Sequence, residues 1–179
     1  TYKPLKENGK PVKEVAEVTV FPEMVDGRVK TLHPMLHGGI LARRDIPEHM
    51  AAIKDKGIIP VDMVVVNLYP FKETVLKKDV KFEDIVENID IGGPSMIRAA
   101  AKNYRSVAVV TKPDQYPVIL DELRSKGEIS DGVLEKLMLE AFIATAEYDS
   151  MISSYMYAKF GDGFPASFPL PSEKVEDLR

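Results

Sequence analysis

The chain has 179 residues, of which 45% are hydrophobic and 29% charged, with no Cys and a formal net charge of −4. One ordinary domain of this length buries roughly 70% of the surface that its unfolded chain exposes, and the composition is that of a soluble globular protein. Without Cys there is no disulfide, thiol catalysis or cysteine-held metal; the acidic balance argues against a broad grip on nucleic acid; and no apolar run reaches the ~18 residues of a membrane span. No signal-peptide pattern opens the sequence, which leaves a cytoplasmic location as the default.

In chain order, "VAEVTV" (15–20) reads as a short strand leading into a loop. That loop, "FPEMVDGRVKTLHPMLHGG" (21–39), is punctuated by Pro22, Gly27, Pro34, Gly38 and Gly39, a density that predicts a fixed path without helix or strand. "PEHMAAIKDKG" (47–57) predicts a helix with Pro47 at its first position and Gly57 at its C-terminal cap. "VDMVVVNLYPF" (61–71) is apolar and β-branched without alternation, the pattern of a strand buried on both faces of a parallel sheet. "KFEDIVENI" (81–89) sets Phe82, Ile85, Val86 and Ile89 on one helical stripe, and "PSMIRAAAKN" (94–103) predicts a second helix behind two glycines. "SVAVVT" (106–111) is another buried strand, followed by a helix over 113–127 with Pro117 in its first turn or at a bend. One long helical pattern runs from Ser130 to about Phe160, its apolar face made by Val133, Leu134, Leu137, Ala141 and Ala144. Residues 161–179, rich in Pro and Gly, read as a linker or edge segment, so the folded domain spans 1–160. Strands alternating with helices predict an α/β fold with a mostly parallel sheet, and such sheets bind ligands beyond the carboxyl ends of their strands.

Four constellations stand out as carriers of chemistry. Arg28 and Lys30 alternate along an extended segment and can face one ligand, and with Thr31 they suit a phosphate or a developing oxyanion; the competing reading is a solvated loop. Asn67 and Tyr69 end the strongest strand, where an amide can pair with a planar heterocycle and a phenol can donate to an oxyanion, unless they only close the strand at Pro70. In "DIGGPS" (90–95), Gly92 and Gly93 allow close backbone approach, the following helix N-terminus favours anions, and Asp90 is a candidate acceptor; a plain capping turn fits equally well. Lys102 lies roughly 13 Å along that helix from Gly93 at ~1.5 Å per residue, so a dipole partner at the C-terminal end competes with a side chain reaching back to a nucleotide-sized ligand. His33 and His37 stand four apart but lack a third strong ligand, so structural hydrogen bonding is the better reading and no metal is assigned.

The blocks "GRVKTLHP…HGGILAR", "VVVNLYPF", "IDIGGPSMIRAAAKN", "VAVVTKPDQY" and "AFIATAEYD", in this order over nearly the whole chain, resemble the IMP cyclohydrolase domain of the bifunctional purine-biosynthesis family. The resemblance implies a Rossmann-like three-layer sandwich similar to methylglyoxal synthase (MGS). It also implies closure of the purine ring, in which 5-formamidoimidazole-4-carboxamide ribotide loses water to give IMP without a cofactor. By the same resemblance Lys30, Tyr69, Asp90 and Lys102 are catalytic, and Arg28, Thr31, Asn67, Ile91, Gly92 and Gly93 hold the substrate. The family's opening strand, phosphate-binding turn and helix have no counterpart here, so about three dozen residues, with most of the phosphate grip, are expected before Thr1. A transformylase domain is expected after "EDLR", and a homodimer stays open. The alternative is a non-catalytic MGS-like module that binds a phosphonucleotide; methylglyoxal synthase activity is disfavoured because its aspartate motifs are missing.

Overall fold

A strand needs a neighbour for its N–H and C=O groups, and a turn of helix does not. That difference decides the first part of the chain in the computed structural model, which describes residues 1–169. After the helix Tyr2–Glu7 (α1), the segment expected as a strand is instead the helix Val15–Thr19 (α2). Among the described residues no partner strand lies beside it, and Glu14 and Glu17 form a reciprocal capping box that meets its backbone needs locally. The expected loop is corrected in its second half. Pro34 sits at the first position of the helix Pro34–Leu41 (α3), with the His33 ring accepting from the Met35 N–H at 3.2 Å. Gly39 is there for closeness and not for a turn, since a Cβ would collide with the Ile59 carbonyl. The helix Pro47–Asp55 (α4) follows as predicted, with Gly57 at φ +67° behind it.

The two apolar runs make a parallel pair: strand Met63–Val65 (β1) lies beside strand Ala108–Val110 (β2), with Val64 opposite Val109. All of β2 is buried, so both of its faces are covered. The prediction for β1 is corrected: only Val64 is buried, and Val65 is 49% exposed. Its apolar run reads like a central strand, but among the described residues it pairs on one side only.

Between the strands come the helices Phe71–Val75 (α5), Phe82–Glu87 (α6) and Gly92–Lys102 (α7). The predicted glycines belong to α7 itself and form its first turn. After β2 a 3-10 turn at Pro113–Gln115 leads into the helix Tyr116–Lys126 (α8), with Pro117 in the first turn, and then comes the 30-residue helix Asp131–Phe160 (α9). Residues 161–169 are irregular, and the rest of the expected linker lies outside the described residues. No helix of the described residues is long and apolar enough to cross a membrane.

The core is built on α7. Ile97, Ala99, Ala100 and Ala101 are buried together with Val107, Ala108, Val109 and Val110, and with Leu137 and Ala141 of α9. Three consecutive alanines keep α7 thin, which lets α9 and the sheet close on it from different sides. At its C-terminal end the buried Asn103 side chain donates to the carbonyls of Ile40 and Ala42 at 2.8 and 3.0 Å, closing the end of α3. A second cluster sets Phe71 edge-on to Tyr148 and Tyr155 beneath α5. The architecture is thus α/β with a parallel sheet, as the sequence predicted, and the carboxyl end of β1 and the amino end of α7 open on the same side of the molecule.

Candidate active site

The segment before α3 turns back on itself: Met24 and Val29 form an isolated antiparallel bridge around a 3-10 turn at Val25–Gly27. Val25, Asp26 and Gly27 all have positive φ, at 54°, 51° and 89°. For a β-branched Val this conformation is strained, and it aims the following residues away from the loop. Arg28 and Lys30 emerge from it into a cleft of about 760 Å³, whose walls also carry Thr31, Asn67, Tyr69, Asp90, Ile91, Gly92 and Gly93. Every predicted site residue except Lys102 therefore meets in one place.

Each cation in the cleft has a carboxylate partner. Arg28 donates to Glu87 of α6 through two nitrogens, at 2.6 and 3.3 Å, and Lys30 pairs with Glu23 at 3.0 Å. The Glu87 contact holds the Arg28 guanidinium above its ordinary range, and Arg28 in turn holds the Glu87 carboxyl below its own. Both pairs are about half exposed, and water screens such pairs so that they hold only weakly. An incoming anion can replace Glu23 or Glu87 at little cost.

The far wall is the start of α7. Asp90 Oδ1 accepts the Gly93 N–H at 2.7 Å, so the carboxylate closes one of the free donors of the helix and faces the cleft at the same time. The capping reading of "DIGGPS" is seen in this contact, and the stretch also lines the cleft. A Cβ on Gly93 would overlap the Asp90 carboxylate, and one on Gly92 would overlap the Thr31 hydroxyl. The two glycines thus bring the basic loop and Asp90 against the helix start, leaving the backbone of 91–93 as part of the cleft wall.

Lys102 is not brought to this cleft. It is the last residue of α7, exposed, about 15 Å along the helix from Gly92 at ~1.5 Å per residue. His33 and His37 also serve separate ends: His33 caps α3, and His37 meets the Ser95 hydroxyl at 3.0 Å.

Three participants escaped the sequence reading. Glu23 and Glu87 are ordinary surface carboxylates until the fold sets them beside cations. Tyr148 of α9 accepts the Asp90 N–H at 2.8 Å and donates to the Asn88 carbonyl at 3.4 Å. It is 3% exposed, and burial pushes its hydroxyl up from the ordinary phenol value. A tyrosine on the buried stripe of a helix was the available signal, because a buried phenol requires a partner.

Comparison with known proteins shows what the chain is similar to. The model of the MGS-like domain matches residues 1–95, and that of the AICARFT/IMPCHase bienzyme matches residues 100–179. The bifunctional purine biosynthesis protein PurH of Desulfitobacterium hafniense is 52% identical over 187 aligned residues, covering 100% of this chain and 36% of that protein. PurH of Bacillus cytotoxicus is 52% identical over 179 residues, covering 100% and 35%. A solved structure described as "Crystal structure of ForH" superposes with a TM-score of 0.75 at 30% identity, over 87% of this chain and 80% of that one. The chain spans about a third of the length of the curated relatives it matches.

Proposed function

From the premise that the chain belongs to the MGS-like domain family and aligns throughout with PurH proteins, we propose that it is an IMP cyclohydrolase. It closes the purine ring of 5-formamidoimidazole-4-carboxamide ribotide with loss of water, in the cytoplasm. The observation that carries this reading is the cleft in which two cations, each paired to a displaceable carboxylate, converge with a tyrosine, an amide, the Asp90 carboxylate and a helix start.

The reaction joins two groups of one molecule. The carboxamide nitrogen attacks the formyl carbon, a C–N bond forms, and the former formyl oxygen becomes the oxyanion of a tetrahedral carbinolamine. Two nitrogen protons, one from the carboxamide and one from the formamido group, pass to that oxygen, which departs as water and completes the aromatic ring. Holding the two groups at attack distance is worth several kcal/mol, since effective molarities reach ~10⁵ M or more. Lys30 and Tyr69 stabilise the oxyanion, Lys30 exchanging Glu23 for the substrate oxygen. Asp90, its one oxygen held by Gly93, offers the other to the amide proton. Arg28 and Thr31 orient the ribotide, and Asn67 with the backbone of Ile91, Gly92 and Gly93 lies against the heterocycle. The scheme runs without Lys102. The proposal extends to a transformylase domain in the same polypeptide and to a homodimer.

The test is ultraviolet detection of IMP from the formamido ribotide. The chain is expected to exceed the uncatalysed rate, and Lys30→Met and Tyr69→Phe are each expected to lose ~10²–10³ in kcat, the usual cost of one oxyanion donor. Thermal stabilisation by IMP without any turnover would replace the enzyme by a nucleotide-binding module.

A further inference from the structure

Asp90 cannot work as an acceptor unless its main chain is held while the carboxylate faces the cleft. Its side chain is tied forward, to the Gly93 N–H. Its own N–H is tied backward, across the molecule, to the Tyr148 hydroxyl at 2.8 Å. The Tyr148 hydroxyl in turn donates a long hydrogen bond to the Asn88 carbonyl at 3.4 Å, so one phenol spans the turn that carries Asp90 to the cleft. The phenol is carried by the long helix α9, and its ring is buried in the cluster with Phe71 and Ile85. Tyr148 does not line the cleft that holds Lys30, Asn67 and Asp90.

We propose that Tyr148 is a positioning residue for ring closure, fixing the Asn88–Asp90 turn from below so that the Asp90 carboxylate and the backbone at Ile91–Gly93 meet the substrate in one geometry. This rests on the cyclohydrolase reading. Removal of the hydroxyl leaves the Asp90 N–H and the Asn88 C=O without their partner at a half-buried turn. The turn then samples other conformations, which lowers the fraction of bound substrate in attack geometry. Because the contact lies outside the cleft, ground-state binding changes less than turnover.

The experiment compares Tyr148→Phe, which keeps the ring and deletes the hydroxyl, with Phe71→Leu, which loosens the ring's packing and keeps the hydroxyl. Both are assayed in the intact protein well below their unfolding temperatures. Tyr148→Phe is expected to lose roughly 10-fold or more in kcat, with KM changed less than about threefold. Phe71→Leu is expected to melt earlier and to keep kcat. In hydrogen exchange, the Asp90, Gly92 and Gly93 amides should open about tenfold faster in Tyr148→Phe only. A Tyr148→Phe enzyme with wild-type kcat, or a kcat loss shared equally by Phe71→Leu, overturns the assignment while leaving the cyclohydrolase reading intact. If the wild-type protein forms no IMP, that reading falls; the positioning of Asp90 is then decided by amide exchange alone, where unchanged protection refutes it.

Discussion

Asp90 caps a helix with one oxygen and faces the proposed substrate with the other, and the two duties separate by substitution. Asn keeps an acceptor for the Gly93 N–H but cannot take a proton from the carboxamide. Ala removes both. Asp90→Asn is therefore expected to unfold within about 1 kcal/mol of wild type, whereas Asp90→Ala loses a further ~1 kcal/mol of capping. Both should lose ~10² or more in kcat, the scale of general acid–base assistance. Urea titration beside the IMP assay separates the two effects, and an active Asp90→Asn would leave the residue as a cap only. At this scale most of the site was legible in the sequence, because Arg28, Lys30, Thr31, Asn67, Tyr69, Asp90 and the two glycines are residue types with strong local meaning where they stand. Glu23, Glu87 and Tyr148 were not. Their partners are decided by packing, across 59 residues for Arg28–Glu87 and 58 for Asp90–Tyr148.

Among the elements, the junction of α8 and α9 is held by one carboxylate. Glu122 accepts from Lys126 at 2.6 Å and from the Ser130 N–H at 2.6 Å, so it ties the last turn of α8 to the residue before α9. Lys126 first, and then Ser130, hold its carboxyl down from 4.5 to about 2. A carboxyl with a lowered folded value contributes stability above its unfolded value and loses it as pH falls through the folded one. The melting temperature of the wild type is thus expected to drop between about pH 4.5 and pH 2 more steeply than that of Glu122→Gln. Parallel slopes for the two proteins would remove Glu122 from the account. The same scale shows where sequence patterns fail. The predicted helices at 47–57, 81–89 and 113–127 formed, because Pro, Gly and apolar spacing act locally. "VAEVTV" became helix and "VDMVVVNLYPF" shrank to a three-residue strand, because β structure depends on neighbours and side-chain propensity for it is mostly a statement about context.

Seen as a whole molecule, the core and the site share one rod. α7 begins in the cleft at Gly92 and ends at Lys102, and between them it contacts α3, α9 and both strands. Interiors packed at crystal density transmit displacement and do not absorb it, so a shift of α7 against α9 also moves Gly92 and Gly93. Ala100, fully buried on this helix, is the place to apply such a shift. Ala100→Leu is expected to cost about 1–3 kcal/mol through overpacking, roughly 2–12 °C in Tm for a chain of this size. It is also expected to lower kcat/KM at 25 °C by roughly tenfold or more, since misplacement of about 1 Å at a reacting centre can cost 10²-fold. Ile119→Ala supplies the comparison, because Ile119 is equally a core residue but lies on α8, away from the cleft. The cavity it leaves should cost about 2–5 kcal/mol while kcat/KM of the folded protein stays near wild type. Thermal melts paired with turnover at 25 °C decide the matter. If Ile119→Ala loses as much activity per folded molecule as Ala100→Leu, site geometry depends on general stability and not on α7.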